Sequence, residues 1–390
     1  MRFQKGGGWV SVLRCAAGLL CLPVIYMTAY ASLPYVKPLL EDAALLSAQM
    51  SFSIDGTEMD TLAKEYGEGE TSEIDPLAQQ EGTELSPSED YVKDLVPVED
   101  ESASSASSAE SAEETASRIA PEKPANAGVI QRKTYSAGNT SVYIPLGKGY
   151  IKNCTSLSAG EIQKAVSNPP SFTISANGEP EVLIMHTHAT ESYQDMELDW
   201  YDKSYNSRST DNTRNTCQVG EEIRKELEAS GIGVLHDMTL HDYPSYNGAY
   251  ERSAETVKKY LKQYPSIKVV LDVHRDAIQP DNNTMIAPVT TIDGKPCAQV
   301  MIISGCDDGT FNMPNYMENL KFSSALQRQM ESDYPTLARP ILFDYRKYNQ
   351  DLTTGSILLE VGGHANTLAE ALYCGQLVGK SLAKTLLALR

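Results

Sequence analysis

Three short apolar segments of this chain each end in a residue that can bind a metal or move a proton. The segments VLIM, LDV and ILL lead to His188, His274 and Glu360, respectively. Apolar runs of this length are typical of strands buried inside a sheet. The carboxyl ends of parallel strands meet at one edge, where open α/β sheets bind their ligands. The sequence therefore predicts that these three side chains lie together, although they are far apart along the chain.

Strand and helix patterns alternate through the C-terminal two thirds of the chain. Ala249–Gln263 has the pattern of an amphipathic helix and is followed by Pro265, whereas Ile267–Val273 reads as a buried strand. Such alternation predicts an α/β fold with a mostly parallel central sheet flanked by helices. We expect this globular domain to occupy residues 129–390.

Two local patterns give sharper expectations within this domain. Asp211 is positioned to cap a helix that runs to about Ser230. The turn signal Asp293-Gly294 predicts a hairpin whose strands are Thr290–Ile292 and Gln299–Ile303.

The N-terminal segment, residues 1–36, is predicted to anchor the chain in the cell membrane. Basic residues precede an uncharged run from Cys15 to Val36, which is long enough to cross a bilayer once with the basic side in the cytoplasm. Ala29-Tyr30-Ala31 resembles a cleavage site, so a removed signal peptide is the alternative. The apolar run continues past that site, which favours the anchor. In both cases the rest of the chain is expected on the extracytoplasmic side.

Residues 37–128 are predicted to form a disordered acidic stalk. The whole chain has a net charge of -19, and residues 1–127 contain 8 Lys and Arg against 22 Asp and Glu. A segment this polar and charged buries too little apolar surface to offset the entropy of ordering. The acidity also makes a nucleic-acid partner unexpected.

The chemistry at the three strand ends is that of a catalytic zinc site. Such a site takes three protein ligands and leaves one position for water. The metal lowers the pKa of that water to about 7, and a nearby carboxylate acts as general base. The seven cysteines are dispersed without CxxC spacing, so the ligands must be imidazoles and carboxylates. The simpler alternative is that His274 is an ordinary buried histidine and that Glu360 pairs with Arg275.

Four sequence blocks carry a resemblance to a known family. They are HTHATESY, SYNGAYERS, LDVHRDA and LLEVGGHANT. In this combination the chain resembles the stage II sporulation protein P family, a branch of the zinc-dependent N-acetylmuramoyl-L-alanine amidases, over about residues 140–390. The resemblance implies the zinc amidase fold, with Zn2+ as the cofactor.

The resemblance assigns roles to the three strand-end residues. His188 falls on the histidine of the family's Asp-Pro-Gly-His block, and His274 on that of its Ser-x-His-x-Asn-Ala block. Both are thereby implied as metal ligands. Glu360 opens the Glu-x-Gly block and is implied as the catalytic glutamate. His186 takes the place of the family's proline and is expected to support the site or to serve as a backup ligand.

The third metal ligand is where this sequence departs from the family. The family has a glutamate at the start of the first helix, and this position falls near Asp211 without any glutamate. Either Asp211 replaces it, or Glu191 reaches in from the loop after His188. Helix register favours Asp211, whereas proximity to His188 favours Glu191.

Substrate contacts are expected from the SYNGAYERS and LDVHRDA blocks. The candidates are Tyr246, Tyr250 and Arg252, with an aromatic cap at a helix start as the structural alternative. Arg275 is expected either to orient His274 or to bind a substrate carboxylate.

The resemblance implies cleavage of the amide between muramic acid and L-alanine in peptidoglycan, together with endopeptidase cleavage of stem-peptide cross-links. It also implies that the chain acts in forespore engulfment with the stage II sporulation proteins D and M. Two alternatives remain at this level. One is a wall-binding scaffold without turnover, and the other is a zinc hydrolase of another exported amide or ester.

Overall fold

The computed structural model describes residues 96–97 and 121–390. The predicted membrane anchor lies outside these residues, as does most of the predicted stalk. Within the described ranges, no helix combines the length and the apolarity that crossing a bilayer requires. Within the predicted stalk, Val96–Pro97 forms a short strand that pairs with Tyr135–Ser136.

The described residues contain fourteen strands and five helices. The strands are β1 (Val96–Pro97), β2 (Gly128–Lys133), β3 (Tyr135–Ser136), β4 (Tyr143–Leu146), β5 (Gly149–Asn153), β6 (Pro180–Met185), β7 (Trp200–Tyr201), β8 (Gly233–His236), β9 (Val269–Asp276), β10 (Thr284–Ile292), β11 (Lys295–Ala298), β12 (Val300–Gly305), β13 (Ile341–Asp344) and β14 (Gly355–Gly363). The helices are α1 (Ala159–Val166), α2 (Thr216–Ala229), α3 (Ala249–Gln263), α4 (Tyr316–Asp333) and α5 (Leu368–Leu387).

Eight strands form the central sheet in the order β4-β5-β13-β12-β14-β9-β6-β8. Strands β14, β9, β6 and β8 are mutually parallel, and so are β12, β13 and β5. The two groups meet at the antiparallel pair β12–β14, and β4 is antiparallel to β5. The predicted α/β class is confirmed, and the sheet is mixed, with parallel pairs more numerous than antiparallel ones.

The two faces of this sheet are covered differently. Alternate residues of the strands, such as Leu271 and Leu359, pack with residues of α1, α2, α4 and α5 in the largest core cluster. On the opposite face, Val257 of α3 packs over β6 and β9. Beside α3, Ile286 of the second sheet (β11-β10-β2-β7) packs over β12 and β14. On this face, some side chains of β9 and β14 lie between α3 and the second sheet, and these side chains can form a functional site.

The predicted start of α2 is wrong. Asn215 is the N-cap, and its side-chain oxygen accepts a hydrogen bond from the Cys217 amide at 3.0 Å. The carboxylate of Asp211 instead accepts hydrogen bonds from the amide and the hydroxyl of Thr213, at 2.9 and 2.7 Å. Asp211 therefore fixes an exposed turn that precedes the helix.

The predicted hairpin has a different second strand. β10 pairs with β11, whereas β12 leaves this sheet and joins the central one between β13 and β14. The change of sheet occurs at Gln299, whose buried side-chain amide accepts a hydrogen bond from the Tyr135 amide and donates one to its carbonyl, at 2.7 and 3.0 Å. Here a buried side chain forms the hydrogen bonds that a neighbouring strand would otherwise form. Local periodicity does not predict such a contact.

We predict opposite effects of the same substitution at two helical glycines. A Cβ at Gly220 of α2 would lie 2.7 Å from Nε2 of His236 and 2.8 Å from Nε2 of His186, whereas nothing lies within 4 Å of one at Gly160 of α1. Gly220→Ala should therefore destabilise the fold by about 1–3 kcal/mol through overpacking. Gly160→Ala should stabilise it by roughly 0.5 kcal/mol through helix propensity. Chemical denaturation measures both, and equal effects would contradict this account of the α2 packing.

Candidate metal centre

His188, Glu191 and His274 form a buried cluster on the sheet face beside α3. Their ligand atoms all lie within 4.8 Å of one another. Nδ1 of His188 is 3.8 Å from one carboxylate oxygen of Glu191, and Nδ1 of His274 is 3.4 Å from the other. Donor atoms that share one zinc ion at about 2.0–2.2 Å have separations of this order. Within the described part of the chain, this is the cluster whose donor set fits a metal ion.

His274 is oriented by a second carboxylate on its own strand. Oδ1 of Asp272 lies 2.8 Å from Nε2 of His274, on the ring edge opposite the one that faces Glu191. Asp272 is itself fixed by the Thr187 amide and hydroxyl, at 2.8 and 2.7 Å. Burial alone would lower the pKa of His274, but the two flanking carboxylates outweigh it and raise that pKa well above its usual value. The environment of this ring therefore favours a positive charge.

Glu191 is held by one backbone hydrogen bond and lies near a guanidinium. One of its oxygens accepts a hydrogen bond from the Arg275 amide at 3.0 Å. The other lies 4.0 Å from the guanidinium of Arg208. Burial would raise the pKa of Glu191, but His274 and the nearby positive charges hold it below its usual value. The carboxylate is therefore ionised and ready to bind a cation.

The His188 ring is surrounded by other rings. It stacks on Tyr246 with a centroid separation of 4.5 Å, and it meets Tyr250 and His274 edge-on at 5.4 and 5.0 Å. Burial, and after it the positive charge of His274, lower the pKa of His188 to about 3. His188 is therefore neutral, which is the form that binds metals.

Glu360 stands opposite His274 across two parallel strands. The two residues are direct partners in the β9–β14 register, so their side chains leave the same face of the sheet. Glu360 is buried, and its Oε2 has no hydrogen-bond partner among the described residues. Burial and the neighbouring carboxylate of Asp276 raise its pKa to about 8. A carboxylate with this environment is suited to accept a proton.

Of the two carboxylates considered for the third ligand position, the structure brings only Glu191 into the cluster. Asp211 is exposed and bonded to Thr213, and it is not part of the group. His186 is not part of this group, and both of its ring nitrogens have other partners. Its Nδ1 donates to the Val273 carbonyl at 2.8 Å, and its Nε2 accepts from His236 at 2.9 Å. Both contacts lie on the α2 side of the sheet.

The predicted substrate-binding arginines have structural partners. The Arg275 side chain is buried and donates to the carbonyls of Ser192 and Ser207, at 3.2 and 2.9 Å. Arg252 donates to the carbonyls of His241, Ser245 and Asn247. These arginines fix the loops before and after the cluster. Tyr250 is half-buried beside His188.

Sequence reasoning missed the residues that hold the cluster in place. Asp272 had a signal, since it is a charged residue inside an otherwise apolar strand pattern. Arg208 and Tyr348 had none, because both lie in loops and reach Glu191 and Tyr250, respectively, only through tertiary contacts. The Arg208 guanidinium packs 4.8 Å from the Tyr246 ring centroid, and Tyr348 stacks on Tyr250.

Comparisons with known proteins give one family and several similar proteins. The model of the family described as Stage II sporulation protein P (SpoIIP) matches residues 59–383. Stage II sporulation protein P of Bacillus subtilis (strain 168) is 32% identical over 219 residues, which are 53% of this chain and 50% of that protein. The chain thus matches half the length of this curated relative.

Two solved structures are also similar to the chain. The N-acetylmuramoyl-L-alanine amidase AmiC2 of Nostoc punctiforme has a TM-score of 0.31 at 13% identity, over 54% of this chain and 97% of that one. The CwlD amidase from Clostridioides difficile, in complex with the GerS lipoprotein, has a TM-score of 0.34 at 12% identity, over 53% and 99% of the two chains.

We predict that Glu360 makes the stability of the metal-free protein depend on pH. Its pKa is about 8 in the folded chain against a usual value of 4.5. The protonated carboxyl therefore stabilises the fold fully below about pH 4.5, and this contribution is lost as the pH rises through about 8. Each unit of pKa difference corresponds to about 1.4 kcal/mol.

Glu360→Gln should remove this dependence. Unfolding of both proteins with chelator present, between pH 5 and 9, measures the difference. The wild type should lose stability relative to the variant as the pH rises. Parallel curves for the two proteins would show that Glu360 does not titrate in this range.

Proposed function

The chain belongs to the stage II sporulation protein P family, and from this premise we propose that it is a zinc-dependent peptidoglycan hydrolase of sporulation. The proposed reaction is hydrolysis of the amide between muramic acid and L-alanine. The observation that carries the proposal is the buried cluster of His188, Glu191 and His274, with Glu360 in register beside it.

The donor set of the cluster fits zinc. Two imidazole nitrogens and one carboxylate are a common ligand set of catalytic zinc, and they leave a position for water. His188 and Glu191 have the neutral and ionised forms that ligation needs, and the proton favoured on His274 would leave as the metal binds. When bound, zinc would lower the pKa of a water molecule and polarise the amide carbonyl.

Glu360 is proposed as the general base and then the general acid. Its carboxylate would take a proton from the attacking water and later give it to the leaving amine. The unpartnered Oε2 is free to accept that proton, and burial near Asp276 makes the protonated form easy to hold. Asp272 would keep the His274 ring fixed through both steps, because it faces the ring nitrogen that is turned away from the cluster.

The same residues would also catalyse hydrolysis of a second amide bond in peptidoglycan. Amide hydrolysis by an activated water and a carboxylate makes no distinction between a muramoyl amide and a stem-peptide cross-link. We therefore include endopeptidase cleavage in the proposed activity, with the choice between the two bonds set by the substrate contacts.

The proposal places the catalytic domain outside the cytoplasm. An apolar run from Cys15 to Val36 would anchor the chain through a single span, and the acidic segment after it would set the reach of the domain. We propose the stage II sporulation proteins D and M as its partners at the engulfing membrane.

Zinc content and digestion products of three proteins test the proposed mechanism. The full chain is purified as wild type, Glu360→Gln and His274→Ala, and each is assayed on purified cell wall. Wild type should carry one zinc ion per chain by elemental analysis. Glu360→Gln should keep the metal and lose at least about a hundredfold in turnover. His274→Ala should lose both metal and activity.

Mass spectrometry of the released muropeptides identifies the bond that is cut. Free L-alanine amines would show amidase cleavage, and opened cross-links would show endopeptidase cleavage. A wild-type protein without metal, or a Glu360→Gln variant that still digests the wall, would contradict the proposed mechanism. A metal-free protein that still binds wall would favour a scaffold.

A pair of neutral substitutions tests the third ligand. Glu191→Gln should weaken zinc binding by about tenfold or more, because it removes the ligand charge and leaves the shape unchanged. Asp211→Asn should leave zinc binding unchanged, because its carboxylate is exposed and bonded to Thr213. Competition with a chromophoric chelator measures both affinities. The reverse order of effects would assign the third ligand to Asp211.

A further inference from the structure

A row of contacting rings includes the candidate metal ligand His188 and ends at a loop to which the sequence analysis gave no role. In order, the rings are Tyr246, His188, Tyr250 and Tyr348, and we call this row the aromatic ladder. The centroid separations along it are 4.5, 5.4 and 5.1 Å. Aromatic contacts of this kind contribute about 0.5–1.5 kcal/mol each beyond the area they bury.

An ion-paired arginine closes each end of the ladder. At one end the Arg208 guanidinium lies 4.8 Å from the Tyr246 centroid and 3.0 Å from Asp242. At the other end Arg346 donates to the Tyr348 hydroxyl at 2.9 Å and pairs with Asp344 at 3.0 Å. The outer rings are thus held by charged groups from other parts of the fold.

The loop that carries Tyr348 has a strained backbone. Tyr348 and Asn349 are consecutive non-glycine residues with positive φ, at 45° and 55°. Each such residue costs on the order of 1 kcal/mol and persists only where its surroundings enforce it. Asn349 donates from its side chain to the Tyr250 carbonyl at 2.8 Å and to the Ser253 hydroxyl at 3.0 Å. These bonds tie the strained residues to the start of α3.

The next residue fixes the other side of the loop. The Gln350 side chain accepts from the Gly305 amide at 2.8 Å and donates to the Ile303 carbonyl at 3.0 Å, so it is bonded to β12. The loop is therefore fastened to α3 on one side and to the central sheet on the other. These hydrogen bonds on both sides of the loop hold the Tyr348 ring against Tyr250.

The three cluster residues differ in how they are held. His274 has Asp272 behind it, and Glu191 has the Arg275 amide. Apart from Glu191, the described contacts of His188 are rings. A ligand ring that turns freely must be ordered when metal binds, and this ordering lowers affinity.

We propose that the aromatic ladder orients the His188 ring for metal binding, and that Tyr348 is a positioning residue that acts through Tyr250. This inference rests on the proposed zinc site. It assigns the ladder a role in metal affinity, and it gives a reason for the strained backbone of the loop.

Metal affinity of loop variants tests the role of Tyr348. The full chain is prepared as wild type, Tyr348→Leu, Tyr348→Phe and Tyr345→Leu. Tyr345 is the matched control, because it lies in the same loop but bonds to Ser156 and packs on the helix side of the sheet. Zn2+ affinity is measured by chelator competition, and the absorption spectrum of the Co2+-loaded protein reports the ligand geometry.

Tyr348→Leu should bind Zn2+ about tenfold more weakly and alter the Co2+ spectrum, as removal of a ligand-orienting group does. Tyr348→Phe keeps the ring contact with Tyr250 and loses only the hydrogen bond from Arg346, so it should bind Zn2+ more tightly than Tyr348→Leu does. Tyr345→Leu should also bind as wild type does, whatever its effect on thermal stability.

Three results would overturn the inference. Equal losses of affinity in Tyr348→Leu and Tyr345→Leu would indicate general damage to the loop. A raised KM of Tyr348→Leu with unchanged metal affinity would make Tyr348 a substrate contact. In both cases the wild type still binds zinc, so the proposed function stands. A wild-type protein that binds no metal would overturn the inference and the zinc mechanism together.

Discussion

The parallel pairing of β9 with β14 is the constraint on which the site depends. Every residue of both strands is buried, so the sheet is covered on both faces where they meet. Register in such strands is set by side-chain alternation, and a shift by one residue would exchange the two faces. With Leu271 and Leu359 in the helix-covered core, His274 and Glu360 must leave the other face together. The backbone therefore brings the candidate ligand and the candidate base side by side.

Many ionisable groups are buried around the cluster. The fold tolerates them because groups of opposite charge lie next to one another. Asp272, His274 and Glu191 alternate in charge along one line, so the central imidazole is stabilised as a cation from both sides. Arg339 and Asp276 form a further buried pair at 2.8 Å near Glu360. Isolated buried charges are costly, and pairing offsets much of that cost. A metal ion at the same place would take over the positive charge that the proton on His274 supplies.

The parts of the fold that local pattern determines could be predicted from the sequence. The bounds of α3 follow from periodicity and the flanking Pro265, and the apolar runs before His188, His274 and Glu360 identify β6, β9 and β14. Strands β9 and β14 continue past these runs, however, so His274 and Glu360 lie inside their strands and not at the ends as predicted. What failed depends on distant contacts. After β11 the chain leaves the second sheet and enters the central sheet as β12, and the buried Gln299 side chain fixes this change. The position of Glu191 inside the cluster, with Asp211 outside it, follows from the path of the loop after β6, and the sequence left both residues as alternatives.

The arginines near the cluster show how strongly the role of a side chain depends on tertiary contacts. Arg252 was a candidate substrate contact, and Arg275 was expected either to orient His274 or to bind a substrate carboxylate. In the structure, both side chains donate to backbone carbonyls of neighbouring loops. Arg208, which had no sequence signal, places its guanidinium 4.0 Å from Glu191. A guanidinium has five donors in a fixed plane, so it can satisfy several loop carbonyls that no secondary structure satisfies. An arginine next to long irregular loops is for this reason as well suited to fastening them as to binding a ligand, and only the positions of the acceptors decide between the two.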